Sequence, residues 1–254
     1  MDEVKRYDNL ASECAKRTTK AYSTSFSLGI RFLDRPLREA IYNIYGFVRY
    51  GDEIVDTLHG AQQETMFRRF KGETDWALTH GMSSNPILHA FAKSFHKYSI
   101  DREHVNLFLQ SMEWDLERKT YDDRSYSEYI VGSAEVVGLM CLHVFLEGNT
   151  KRYEALLPYA RRLGAAFQKV NFLRDIKEDI EGKGRVYFPG VNALSFTHEA
   201  KALIEKDIAT DFQNAYKGIV KLPRKSRLGV YVAYVYYHSL FQKISITFTF
   251  FTNR

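Results

Sequence analysis

Two Asp-x-x-x-Asp pairs constrain this chain more than any other feature. An α-helix turns about 100° per residue, so side chains three and four apart share a face. Residues 168–179 read Gln168-Lys-Val-Asn171-Phe-Leu-Arg174-Asp175-Ile-Lys-Glu-Asp179. On a helix, Gln168, Asn171, Asp175 and Asp179 form one stripe of oxygen-bearing side chains, and Phe172, Leu173 and Ile176 point elsewhere. Residues 45–56 repeat the pattern, with Tyr45, Arg49, Asp52 and Asp56 on one stripe. A single acidic pair at this spacing is most often a solvated helix face. Two such pairs in one small chain, each set among apolar and aromatic residues, point to a shared cavity. Four carboxylates facing one cavity would repel and raise each other's pKa. Bound divalent cations would keep them ionised. Two carboxylates one turn apart, with an amide one turn further back, suit a hard cation such as Mg²⁺.

The rest of the chain predicts an all-α fold. Only five prolines interrupt 254 residues, and apolar side chains recur mostly at helical spacing. Helices are predicted over 4–21, 35–58, 62–79, 87–98, 101–119, 126–146, 159–181, 197–221 and 223–244. Asp34-Arg-Pro36, Asn85-Pro86, Pro158 and Leu222-Pro223 serve as boundaries. The length fits one domain, expected over 1–244. Residues 245–254 lose the helical period, alternate and contain no acid, so they are set apart as an atypical tail. Residues 126–146 are apolar nearly all round, which predicts a central, buried helix. Its small residues, Gly132, Ser133, Ala134 and Gly138, serve either tight helix packing or room for a long apolar ligand. The same alternatives apply to Gly46 and Gly51 in the first stripe's helix, each costing about 1 kcal/mol relative to Ala.

Several other residues stand between a structural and a functional reading. Tyr22-Ser-Thr-Ser-Phe-Ser27 is a helix break with capping serines, or a ring of hydroxyl donors to phosphate. Arg49 forms an intrahelical ion pair with Asp52 one turn on, or clamps a diphosphate. Asp115 reads as a surface ion pair ahead of a carboxylate behind the site. His80, His89, His96 and His104 read as surface or capping residues, and the absence of an H-E-x-x-H or Cys/His cluster argues against zinc. Tyr231, Tyr234 and Tyr237 recur on one face, more as core than as site. After the second stripe, Gly182-Lys-Gly184 ends the helix, and the basic, aromatic Arg185-Val-Tyr187-Phe-Pro189 is expected to close over a site.

Aspartate-held Mg²⁺ with Arg and hydroxyl donors nearby is a means of binding diphosphate and dispersing charge on a leaving group. Facing an apolar, aromatic cavity, it points to ionisation of an allylic diphosphate shielded from water.

The chain resembles the squalene/phytoene synthase family over roughly residues 8–244. The resemblance rests on Tyr-Ser-Thr-Ser-Phe at 22–26, Ile-Tyr-Gly-Phe-Val-Arg-Tyr-Gly-Asp-Glu-Ile-Val-Asp at 44–56, the whole of 168–179, and Gly-Arg-Val-Tyr-Phe-Pro at 184–189. Gly-Ser-Ala-Glu-Val-Val-Gly-Leu-Met at 132–140 is most similar to bacterial phytoene synthases. The resemblance implies a single-domain isoprenoid synthase helical bundle around a central apolar cavity. It implies Mg²⁺, with Mn²⁺ as a substitute, held by Asp52, Asp56, Asn171, Asp175 and Asp179. Ser23, Ser25, Arg49, Arg174 and Tyr237 would contact diphosphate. Tyr45, Tyr129, Val137 and Gln168 would line the channel or the site of rearrangement. The implied catalytic set is Asp52, Asp56, Asp175, Asp179, Arg49 and Tyr45. The implied reaction is head-to-head condensation of two geranylgeranyl diphosphates to phytoene through a cyclopropylcarbinyl diphosphate. A C30 synthase using farnesyl diphosphate shares these motifs, and a non-catalytic relative acting as a binding protein is the alternative of another class.

Composition bounds the partners. The net charge of +5 suits anionic ligands, prenyl diphosphates among them, while no nucleic-acid module is present. No dinucleotide fingerprint appears, so no NADPH is expected. Cys14 and Cys141 read as free thiols of a reducing compartment. With no signal region and no apolar run of about 18 residues recognised, a cytoplasmic protein is expected, its membrane contact peripheral and serving product release. The expected assembly is a monomer or weak homodimer.

Overall fold

The computed structural model describes residues 3–117, 120–182, 184–190 and 197–251, with side chains in the last helix described through 246. The described residues form helices and connecting turns, with a lone bridge between Thr120 and Val186 as their β contact. The helices are α1 (Glu3–Tyr22), α2 (Thr24–Arg31), α3 (Arg35–Asp56), α4 (Gln63–His80), α5 (Pro86–Lys97), α6 (Arg102–Glu117), α7 (Asp123–Ile130), α8 (Val136–Leu146), α9 (Thr150–Glu181), α10 (His198–Ile219) and α11 (Arg224–Phe251). The all-α expectation is met.

The helix starts carry the expected chemistry. Ser23 Oγ accepts from Phe26 N at 3.1 Å and caps α2. Asn85 accepts from Ile87 and Leu88 N ahead of Pro86. Asp122 and Ser125 form a reciprocal capping box at α7. Gly81, at φ 71°, ends α4 in the left-handed conformation.

Packing places α3 at the centre of one half. Its buried Ile44, Phe47 and Val48 share a core with α4, α5, α6 and α8. Phe47 stacks on Phe91 with centroids 4.0 Å apart. The other half builds on α9, whose Val170, Phe172 and Leu173 pack with Phe212, Tyr237 and Phe241. Helix α2 lies on α11, so these two and α3, α8 and α9 surround the space between the halves.

Six expectations are corrected. Helix α9 begins at Thr150, capped by Asn149, and contains Pro158 rather than following it. A proline costs about 3 kcal/mol inside a helix. Burial of Leu156 and the contact of Tyr153 with His104 and His143 offset that cost. The buried helix over 126–146 is interrupted by a π-turn, Val131–Glu135, between α7 and α8. The interruption falls where a Cβ on Gly132 would come 2.6 Å from Leu107 O of α6. The segment Asp123–Leu146 also has an 18-residue window of mean hydropathy 1.8, so one stretch is long and apolar enough to cross a membrane by composition. In this fold it packs against α6 and α9. The last helix runs on through Phe251, past the boundary expected at 244. Alternating Thr and Phe contain no proline or glycine, and extending an existing helix gains one hydrogen bond per residue ordered. His89 is buried, its ring nitrogens bonded to Asp8 at 2.7 Å and to Ser83 N at 3.2 Å. His104 is half-buried and bonds Tyr153 OH at 2.7 Å. The predicted helix end at Lys119, Lys183 of the glycine turn, and residues 252–254 of the tail lie outside the described residues.

Gly46 and Gly132 serve close packing, whereas Gly138 packs on α9 and also borders the large cavity. A Cβ on Gly46 would meet Ala15 of α1 at 3.0 Å.

Candidate active site

A cavity of about 560 Å³ opens between the two halves. Its wall contains both acidic stripes: Tyr45, Arg49, Asp52 and Asp56 from α3, and Gln168, Asn171, Asp175 and Asp179 from α9. Ser23, Ser25 and Tyr237 come in from the α2–α11 side, Tyr129 and Val137 from the α7–α8 side, and Arg174 lies beside Asp175. Every residue of the implied metal, diphosphate and channel sets therefore borders one cavity. Away from the acids the wall is apolar, with Val48, Phe145, Leu156, Leu163 and Ile219. One face is aromatic: Phe26 lies 5.1 Å from Tyr45 between centroids, and Phe167 stacks on Tyr237 at 4.0 Å.

The two stripes differ in electrostatics. The Asp52 carboxyl is pushed up to about 8, first by burial and then by the Asp56 charge, with Arg49 opposing. Asp56 accepts from Arg185 Nη1 at 2.7 Å. Arg49 pairs with Glu53 one turn on, lies 3.9 Å from Asp52, and stands over the Tyr22 ring at 4.4 Å. Its close intrahelical partner is thus Glu53, with Asp52 at the edge of ion-pair range, and its side chain borders the cavity. Arg174 wraps Asp175 with two bonds, of 2.7 and 2.6 Å. Ser23 caps α2, as the structural reading held, lies 3.3 Å from Ser25 Oγ, and borders the cavity together with Ser25. Burial pushes the Tyr45 phenol up to about 12 and raises that of Tyr237 as well.

Asp115 is corrected from a surface ion pair to a buried carboxylate in the cavity wall. Tyr129 OH donates to its Oδ2 at 2.7 Å, and Tyr187 OH to its Oδ1 at 3.3 Å. Arg185 Nη2 donates to its backbone carbonyl at 2.8 Å, and Nη1 lies 3.8 Å from its carboxylate. Burial pushes the Asp115 carboxyl up to about 7, against the pull of Arg185 and Tyr129. The sequence carried a signal for this: Asp115 continues the stripe of Val105, Phe108 and Met112, all buried. Arg185 and Tyr187 belong to the loop after α9; Tyr187 borders the cavity, and Arg185 ties Asp56 to Asp115.

Among the described residues no group of three or more His, Cys, Asp or Glu side chains is close enough to hold a metal ion by itself. Each stripe brings two carboxylates, and Asn171 Oδ1 is buried with no hydrogen-bond partner among the described residues. These are hard oxygen donors, and Mg²⁺ commonly binds through one or two carboxylates with phosphate oxygens completing its shell. The donor set therefore fits Mg²⁺ brought in with a diphosphate better than a preformed cage.

Known proteins resemble this chain in sequence and in fold. The family model described as squalene/phytoene synthase matches residues 19–246. A presqualene diphosphate synthase from Rhodopseudomonas palustris is 29% identical over 171 residues, covering 66% of this chain and 59% of that protein. The chloroplastic phytoene synthase 1 of Arabidopsis thaliana is 26% identical over 260 residues, covering 94% of this chain and 59% of that protein. The chain thus spans about three-fifths of the length of these relatives. The crystal structure of squalene synthase HpnC from Alicyclobacillus acidocaldarius shares the fold, with a TM-score of 0.80 at 20% identity over 93% of this chain and 94% of that one. With a family match across nine-tenths of its length, this chain belongs to the squalene/phytoene synthase family, whose members are prenyltransferases.

Proposed function

We propose that the chain condenses two prenyl diphosphates head to head, and that geranylgeranyl diphosphate is the substrate and phytoene the product. The observation that carries this reading is the shared cavity, with Asp52 and Asp56 on one side, Asp175 and Asp179 on the other, and an apolar wall beyond them. Mg²⁺ held by these four aspartates and Asn171 would neutralise the diphosphate as its bond to the allylic carbon breaks. Arg49, Arg174, Ser23 and Ser25 supply further positive charge and hydrogen-bond donors to the same phosphates. The allylic carbon gives up its C–O bonding pair to the departing diphosphate. The double bond of the second prenyl chain attacks that carbon, and loss of a proton closes a cyclopropylcarbinyl diphosphate. A second ionisation, rearrangement and proton loss give the hydrocarbon. The apolar wall keeps water from the carbocations, and the faces of Phe26, Tyr45, Phe167 and Tyr237 offer them π-electron density.

Support for the C40 substrate comes from the extent of the likeness to a phytoene synthase, 94% of this chain against 66% for the presqualene diphosphate synthase. The second reading, coupling of two farnesyl diphosphates, is favoured by the higher identity to that presqualene enzyme. A product assay decides between them. With Mg²⁺ and without NADPH, geranylgeranyl diphosphate is expected to give a C40 hydrocarbon. A C30 product from farnesyl diphosphate alone would reassign the substrate, and no product from either would sink the enzymatic reading.

A further inference from the structure

Arg185 holds the last aspartate of each acidic stripe. Its side chain donates to Asp56 Oδ1 at 2.7 Å, and its backbone N–H donates to the Asp179 carbonyl at 2.8 Å. Nη2 reaches the backbone carbonyl of Asp115 on α6 at 2.8 Å. One residue outside the implied metal and diphosphate sets therefore joins α3, α6 and α9 at the acidic end of the cavity. Asp56, Asp115 and Asp179 border the cavity, and Arg185 is buried behind them. The backbone that follows it is pinned as well. Tyr187 stacks on Phe172 of α9 with centroids 4.0 Å apart, and Val186 bridges to Thr120.

The second stripe is held differently. Arg174, exposed, engages both oxygens of Asp175. A metal approaching Asp175 has to displace it, and a surface ion pair of this kind is worth only about 0–1 kcal/mol. Arg185 engages one oxygen of Asp56, and its remaining bonds go to the Asp115 carbonyl and, at 3.3 Å, to Tyr187 OH. Displacing this buried guanidinium would strand its charge, so it stays in place. A carboxylate fixed through one oxygen is held in one orientation. Hydrogen-bond partners of metal-binding carboxylates act in this way, and their loss commonly costs about 10- to 100-fold in metal affinity.

We propose that Arg185 is a positioning residue for the metal site, setting the spacing between Asp56 and Asp179 and turning Asp56 so that Mg²⁺ meets a single carboxylate oxygen. The inference rests on the proposed coupling reaction in taking the ion to be Mg²⁺ carried with a diphosphate. Mg²⁺ demands near-ideal octahedral geometry and short metal–oxygen distances. The larger Mn²⁺ accepts a looser oxygen shell. Without Arg185, Asp56 can turn and close on a metal with both oxygens, which penalises Mg²⁺ more than Mn²⁺. Loss of the nearby positive charge acts in the other direction and favours both cations, so the sign of the change separates positioning from charge.

Electron paramagnetic resonance of Mn²⁺ tests it with the intact chain. Binding quenches the signal of the free ion, so a titration with inorganic diphosphate present, read against a protein-free control, gives the Mn²⁺ affinity. Competition by Mg²⁺ gives the selectivity. Arg185→Gln should weaken Mg²⁺ about 10- to 100-fold and Mn²⁺ less. Arg185→Lys keeps the charge but loses the two-pronged fork, and it should show the same change in selectivity. Circular dichroism establishes that each variant is folded. If Arg185→Gln does not fold, Arg185→Gln/Asp115→Asn, which lacks the stranded carboxylate, takes its place. Unchanged or tighter Mg²⁺ binding, as for an arginine that only competes for Asp56, overturns the proposal. So does an equal loss for both ions, as for general structural damage, or wild-type selectivity in Arg185→Lys. Absence of metal binding by the wild type with diphosphate present overturns it too. Coupling by the wild type with unchanged selectivity in the variants defeats only the positioning role, and the expected selectivity without coupling defeats only the proposed reaction.

Discussion

Arg185 donates to Asp56 Oδ1 at 2.7 Å, joining residues 129 apart in the chain. The same guanidinium reaches the Asp115 carbonyl at 2.8 Å and lies 3.8 Å from the Asp115 carboxylate. One cation thus links the first acidic stripe, the carboxylate behind it and the loop over the acidic end of the cavity. Removing it leaves Asp115 buried and without a cation. Arg185→Ala should destabilise the fold by about 3–5 kcal/mol in urea unfolding. Asp115→Asn in the same chain should recover a large part of that loss. If the two substitutions simply add, the proposed coupling between them is absent.

Asp115 should also set a pH dependence. Its folded carboxyl is raised to about 7 from an ordinary value of 3.8, so the folded state holds a proton that the unfolded state has released. The native state binds more protons between those values, and stability from this group falls as pH rises through that window. His143, lowered by burial to about 4, acts in the opposite sense below its ordinary 6.5. The measurement is therefore a difference: wild-type stability minus that of Asp115→Asn should decline from about pH 4 to about pH 7. A flat difference would remove Asp115 as the titrating group.

Metal and diphosphate should bind together. Each helix supplies two carboxylates, and the described residues contain no preformed cage. Mg²⁺ alone should therefore move the melting temperature little. Mg²⁺ with inorganic diphosphate should raise stability by about 2.7 kcal/mol at a hundredfold excess over its Kd. Asp175→Asn should abolish the increase. A full shift with Mg²⁺ alone would contradict the shared-shell arrangement.

Loss of one carboxylate of the first stripe should slow the chemistry without unfolding the chain. Asp52→Asn removes a carboxylate that burial already disfavours, so the fold should keep or gain stability. Prenyl coupling should nevertheless fall about 100- to 1000-fold, as for loss of one preorganised electrostatic contact. Product analysis by chromatography checks this, and activity near the wild-type level would remove Asp52 from the site.

Gly164 offers a test of packing. A Cβ there would lie 2.5 Å from Ala134 O, backbone against backbone, where α9 crosses the π-turn. Gly164→Ala should destabilise by about 1–3 kcal/mol, although alanine is the better helix former by about 1 kcal/mol. A stabilised variant in thermal unfolding would show that the two segments can separate at no cost.

Helical periodicity alone determined the all-α class, the two acidic stripes and the neighbours each stripe displays. These are properties of one helix, decided by residues three and four apart. Helix ends were legible where a capping side chain or a proline stood at the boundary, as at Asn85-Pro86. They were misread at Pro158 because packing of Tyr153 and Leu156 outweighs a local penalty. The two pairs pointed to a shared cavity, but the contacts that build it are tertiary. That Arg185 meets Asp56, that Asp115 lies between Tyr129 and Tyr187, and that α2 rests on α11 through Gly29 and Gly229 all join residues distant in the chain. Such contacts depend on how whole helices pack, and helix packing is set by the combined shape and burial of many side chains, which the spacing of any one motif does not encode.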